Sequence, residues 1–252
     1  MRKQSNILRI STRGFYDLST GKKLKQKSYF LFPKNSFEKL RGKKELVIMI
    51  HGLRNDKKGA NQKFLIIKRR LKQIGYTYPV IGFSYDSNTK GAHLKKSELK
   101  ALRIGQKIAH QNGKNLSQFI IDFKKQSPET KIRLIGHSLG SEVIISAIKK
   151  LSLRSTSKNM IESVYFFGSS LPNNIASLRK SGKILEKIVN DKIFNYYCPT
   201  DEVLKKSFDD GILNPLGYLG ASEKTISKFK QKKVFPRNHR FVSYSKILNK
   251  FP

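Results

Sequence analysis

Lys131-Ile132-Arg133-Leu134-Ile135-Gly136-His137-Ser138-Leu139-Gly140-Ser141-Glu142-Val143-Ile144-Ile145-Ser146-Ala147-Ile148-Lys149-Lys150-Leu151 is the stretch that decides the fold. Its first five residues are β-prone, and from Ser141 onward apolar residues recur at helical spacing. Between them stands Gly136-x-Ser138-x-Gly140. A G-x-S-x-G that joins a strand to a helix is a nucleophile elbow. The turn is so tight that side chains near the central residue would collide, which is why glycines stand two positions before it and two after. The Ser138 hydroxyl then projects from the top of a sheet, with a helix N-terminus beneath it. The pattern by itself arises by chance in many chains; the strand before it and the helix after it give it meaning here.

Upstream, Glu45-Leu46-Val47-Ile48-Met49-Ile50 is a near-continuous apolar run, the mark of a parallel strand buried on both faces. It ends in His51-Gly52-Leu53-Arg54-Asn55. In folds built on this elbow, the loop after such a strand supplies one oxyanion-hole amide and the residue after the nucleophile supplies the other. The expected donors are the backbone N–H groups of Leu53 and Leu139. Gly52 lets the main chain approach a substrate oxygen with no Cβ in the way.

The rest of the chain alternates in the same manner. Residues 8–17 and 28–32 are β-prone around a Gly21-Lys22-Lys23 turn and read as an N-terminal antiparallel edge meander. Residues 61–74 make a basic amphipathic helix with Phe64, Leu65, Ile67 and Leu71 on its apolar side. A strand at 78–85 follows, then helices at 94–109 and 115–125, split near Asn112-Gly113. Beyond the elbow come a buried strand at 161–168, a helical stretch at 175–189 and a strand at 192–197. This order predicts an α/β fold: a mostly parallel central sheet, helices on both faces, right-handed crossovers. No repeat or linker interrupts it, so residues 1–252 are expected to form a single domain.

Lys and Arg number 52 against 17 Asp and Glu, a net charge of +35. Such a surface attracts anions over about a Debye length, ~8–10 Å at ordinary salt. The basic residues are spread along the chain, and the densest cluster is Lys228-Phe229-Lys230-Gln231-Lys232-Lys233. Dispersal of that kind fits a solvated shell better than a dedicated nucleic-acid groove. One cysteine, Cys198, excludes an internal disulfide and a Cys-rich metal site. Arg9 cuts short the early apolar pair Ile7-Leu8, and no apolar run approaches the ~18–20 residues that span a bilayer. The expectation is a soluble, cytoplasmic protein.

Serine is a poor nucleophile at neutral pH and needs a general base, itself held by a carboxylate. On this elbow the partners follow in the order Ser, acid, His. His239, in Pro236-Arg237-Asn238-His239-Arg240-Phe241, is the one histidine after the elbow and so the base candidate. Asp201 is the best-placed acid, a short Cys198-Pro199-Thr200 loop beyond the strand that ends near Tyr197. Glu202 alternates with it; Asp209 and Asp210 look like loop or cap, and Asp86, out of order as the acid, is expected near the site rim. His51 and His137 belong to the two backbone motifs, and His93 and His110 read as surface or helix residues.

Taken with the stretches 81–87, 108–113, 195–204 and 238–241, the elbow segment makes the chain similar to a group of α/β-hydrolase-superfamily proteins of archaea, serine esterase- or lipase-like and related to membrane-associated eukaryotic members. The resemblance covers most of the chain after residue 45. It implies the α/β-hydrolase fold and a Ser138, Asp201, His239 triad, and it brings no substrate. The chain departs from the group in its basicity and in Tyr85, where tryptophan is expected.

The function these readings imply is cleavage of an acyl ester, carboxylesterase- or lipase-like, with no metal or organic cofactor. Residues 207–233, rich in Leu, Gly and Pro at first and basic at the end, are expected to form a flap beside the site that favours anionic substrates. The alternative is a non-catalytic protein of the same fold that binds nucleic acid or an anionic membrane through its charge.

Overall fold

The computed structural model describes residues 7–154 and 158–252. Its strands are β1 (Arg9–Ser11), β2 (Phe30–Phe32), β3 (Glu45–Ile50), β4 (Val80–Ser84), β5 (Lys131–His137), β6 (Ile161–Phe167), β7 (Val189–Tyr197) and β8 (Phe229–Lys233). Its helices are α1 (Lys57–Gln73), α2 (Glu98–Gln126), α3 (Gly140–Ser152), α4 (Gly182–Ile188), α5 (Glu202–Asp209), α6 (Leu216–Leu219) and α7 (Phe241–Lys246). The strands form one sheet in the order β2-β1-β4-β3-β5-β6-β7-β8. Every neighbouring pair is parallel except β1 with β2 at the edge.

The apolar run of β3 is buried along its whole length because both of its faces are covered. Leu46, Ile48 and Ile50 join the larger core beneath α2, α3 and α4, while Val47 and Met49 face the core under α1 and α7. Burying each such side chain is worth about 1.5–3 kcal/mol. All-parallel pairing across β4, β3, β5, β6, β7 and β8 puts their C-terminal ends on one edge of the sheet. Loops that leave those ends, together with α3, build the candidate site.

Four local expectations are corrected. The helices expected at 94–109 and 115–125 are one helix, α2, that runs through Asn112-Gly113. Asn112 stays helical because its Nδ2 donates to the Ile108 carbonyl and its Oδ1 accepts from Thr12, so its side chain supports the helix it was expected to break. Gly113 is there for contact: a Cβ would collide with Ser146 of α3. At the N-terminal edge only three-residue strands form; beyond β1, Asp86 draws residues 14–16 off the sheet by accepting from the N–H groups of Gly14, Phe15 and Tyr16. Asp86 is thus a buried loop anchor. The helical stretch at 175–189 shrinks to α4, because Ser177 bridges to Thr225 and residues before Gly182 close into turns.

The flap expected at 207–233 is the fourth. Its basic end is β8, paired in parallel with β7, with Phe229 buried and Lys230 to Lys233 exposed. Charge on an edge strand discourages pairing with another chain. Lys228 lies at the N-terminal edge, away from the candidate site, where its Nζ donates to the carbonyls of Glu186 and Val189.

Candidate active site

β5 ends at His137 and α3 begins at Gly140, so Ser138 and Leu139 alone reverse the chain. Ser138 takes φ 52°, a left-handed conformation that a residue with a Cβ adopts at a cost of order 1 kcal/mol. The flanking glycines answer to space. A Cβ on Gly140 would overlap the Ile50 carbonyl and lie 2.8 Å from the His51 oxygen; on Gly136 it would lie 2.8 Å from Ile144 Cδ1.

The two amides expected to hold an oxyanion are set by their neighbours' carbonyls. The Gly52 oxygen accepts from His51 Nδ1 at 2.9 Å and from Asn55 Nδ2 at 2.9 Å. Across a trans peptide the N–H points opposite to the C=O, so these bonds turn the Leu53 N–H to the other side. The Ser138 oxygen accepts from Ser141 N at 3.0 Å and from Ser141 Oγ at 2.6 Å, which does the same for the Leu139 N–H. Neither N–H donates to a protein acceptor among the described residues. The two segments touch: a Cβ on Gly52 would lie 3.0 Å from Ser138 Cβ, and the Leu53 and Leu139 side chains both pack on Gly105 of α2.

Asp201 caps the N-terminus of α5, its Oδ1 accepting from Leu204 N at 3.2 Å. Its other oxygen accepts from His239 Nδ1 at 2.7 Å and from the Tyr244 hydroxyl at 2.6 Å. The Asp201 side chain is 1% exposed. Burial by itself raises the carboxyl's pKa; the His239, Tyr244 and Leu204 hydrogen bonds and the imidazole's charge outweigh it, and the net shift is downward. With Nδ1–H donated to Asp201, Nε2 is the remaining nitrogen of the His239 ring. Ser138 Oγ and His239 Nε2 share no hydrogen bond among the described residues.

His137, directly before Ser138, is buried and donates Nε2–H to the His239 carbonyl oxygen at 2.8 Å. Its ring lies 5.1 Å from that of His239, and its buried Nδ1 has no partner among the described residues. Burial, and then the nearby His239, hold its pKa well below the ordinary value, so it stays neutral. His51 is neutral for a similar reason, burial first and Arg13 second. Its ring stacks on Tyr85 at 4.6 Å and 6°, so the position where tryptophan is expected carries the ring that packs on His51.

The structure brings Asp201 to His239 and Leu53 to Leu139 beside Ser138, while His93 and His110 are exposed. Four contributors were not legible in sequence: Tyr244 on Asp201, His137 on the His239 carbonyl, and Asn55 and Ser141 on the two peptide planes. The spacing of Ser141, three residues after Ser138 at a helix start, is the one local signal among them.

No curated protein matches the chain in sequence. Among solved structures it is similar to a lipase-esterase related protein from Clostridium acetobutylicum (11% identity, TM-score 0.46, covering 82% of this chain and 93% of that one). Est1E from Butyrivibrio proteoclasticus matches at 12% identity and TM-score 0.44, covering 82% and 84%. A cutinase from Trichoderma reesei matches at 15% and 0.40, covering 86% and 80%. Residues 34–243 match the family described as alpha/beta hydrolase of unknown function (DUF900). With a match over most of its length, and with the parallel sheet and elbow described above, the chain belongs to this alpha/beta hydrolase family.

Proposed function

We propose that this protein is a serine hydrolase that cleaves an acyl ester, with Ser138 as nucleophile, His239 as base and Asp201 as the group that orients it. The Asp201–His239 hydrogen bond beside the elbow carries the reading. In this reaction His239 Nε2 takes the Ser138 proton as Oγ attacks the acyl carbon. Asp201 stabilises the imidazolium that forms, and Tyr244 holds the carboxylate in place. The N–H groups of Leu53 and Leu139 receive the oxyanion, a donor of this kind being worth roughly 3–4 kcal/mol. The imidazolium then protonates the leaving alcohol, and water repeats the sequence to free the acid. The bond from Ser138 to His239 forms as substrate closes the site, as catalytic hydrogen bonds often do.

Labelling by a fluorophosphonate probe tests the reading. The folded wild type is expected to label, and Ser138→Ala and His239→Ala to lose labelling. A well-folded wild type that stays inert would refute it and favour a non-catalytic protein that uses its charge to bind.

A further inference from the structure

We propose that the rim of the candidate site is a docking surface for a lipid bilayer of net negative charge. The proposal rests on the hydrolase reading only for what the bilayer supplies, an acyl substrate; the surface stands on its own geometry.

Large apolar side chains left exposed are concentrated around the site. Of the eleven among the described residues, seven lie on three segments that leave the C-terminal ends of strands. Leu94 and Leu99 follow β4, at the start of α2, and are 64% and 42% exposed. Val203, Phe208 and Leu219 follow β7, on α5 and α6, and Phe208 packs its ring 5.8 Å from Tyr218. Phe235, 66% exposed, and Val242 follow β8 and flank His239. Each segment is tied to the site. Glu98 of α2 pairs with Arg54, next to Leu53; Asp201 caps α5 and bonds His239; and the third segment carries His239 itself.

The charge on the rim names the partner. A groove of about 440 Å³ along α2 is lined by Leu99 and Ile104 together with Lys96, Lys100, Arg103 and Lys107, and no carboxylate lines it. The segment around His239 carries Lys233, Arg237 and Arg240 with no acid, and Lys233 lies 5.5 Å over the Phe235 ring. On α5 Lys205 and Lys206 pair with Asp209 and Asp210 and Glu202 is exposed, so that segment brings apolar side chains without net positive charge. Apolar side chains set among cations suit a surface that offers phosphates at one depth and hydrocarbon just below it. Duplex nucleic acid satisfies the cations and leaves Leu94, Leu99 and Phe235 in water. No helix among the described residues is long and apolar enough to cross a membrane, so contact through this rim would lie at the interface.

Vesicle sedimentation with the full chain tests this. Phosphatidylglycerol-containing vesicles are expected to retain the wild type and Ser138→Ala equally, with phosphatidylcholine vesicles binding at least about tenfold less. Leu99→Asp with Phe235→Asp, and separately Lys100→Glu with Arg103→Glu, are each expected to weaken binding by roughly tenfold or more. Leu153→Asp is the control: this exposed leucine ends α3, at the opposite edge of the sheet, and the change should leave binding unaltered. Circular dichroism establishes that each variant is folded. Wild type that ignores anionic vesicles, rim variants that bind as well as wild type, or retention by duplex DNA without vesicle binding would each overturn the proposal. A protein inert to the fluorophosphonate probe that still binds vesicles through the rim would sink the hydrolase reading alone; a labelled protein that ignores vesicles would do the reverse.

Discussion

Glu142 offers a sharp test of the electrostatics one helical turn beyond Ser138. Its carboxyl sits in the first turn of α3, facing a cavity that Lys22, Lys23, Lys107 and His110 also line. Burial pushes its pKa up from 4.5 to about 7, and hydrogen bonds from Ser170 Oγ at 2.9 Å and Gln106 Nε2 at 3.4 Å offset only part of that. A pKa raised on folding means that the native state prefers the protonated acid. The cost is therefore absent below the unfolded value, grows as pH rises from about 4.5, and is complete above about 7. At about 1.4 kcal/mol per pH unit, the full cost is about 3 kcal/mol. Glu142→Gln keeps the size and both acceptor contacts and removes the charge. Urea unfolding should find the variant more stable by about 3 kcal/mol near pH 8 and equal to wild type near pH 4. A stability difference that does not change between those two pH values would refute the reasoning, since it would mean that Glu142 keeps an ordinary pKa in the fold.

Asp201→Asn should cut the rate of fluorophosphonate labelling by about 10³–10⁴, because an amide favours the wrong tautomer of His239; a loss under tenfold would remove Asp201 from the mechanism. His137→Leu removes the donor to the His239 carbonyl and should slow labelling by roughly tenfold, while His137→Gln, whose Nε2–H reaches a similar point, should restore most of it at matched thermal stability; equal rates for the two would show that the bond does not position the base. Gly140→Ala should destabilise by at least about 2 kcal/mol in urea, since its Cβ meets the main chain of Ile50 and His51, which has no room to move.

Much of the fold was legible because its signals are local. An apolar run such as residues 45–50 needs both faces covered wherever it lies, and a strand, a glycine-flanked serine and an amphipathic helix within some twenty residues specify an elbow with no help from the rest of the chain. Local reading failed where a side chain found a distant partner. Asn112-Gly113 looks like a break, yet Thr12 and Ser146 make it the middle of a helix. The basic run 228–233 looks like a mobile loop, yet β7 offers it a strand to pair with.

The same division runs through the site. Sequence order by itself put Ser138 at the elbow and nominated Asp201 and His239 as its expected partners, because the chain order of such partners goes with the path of the fold. Only the tertiary structure decided that Asp201 reaches His239, 38 positions further along the chain, at 2.7 Å, that Tyr244 shares that carboxylate and that His137 fixes the His239 carbonyl. Hydrogen bonds of this kind depend on tenths of an ångström in how β7, β8 and α7 settle on the sheet. Periodicity records which face a residue takes, and the packing of the whole core sets where its polar atoms finally lie.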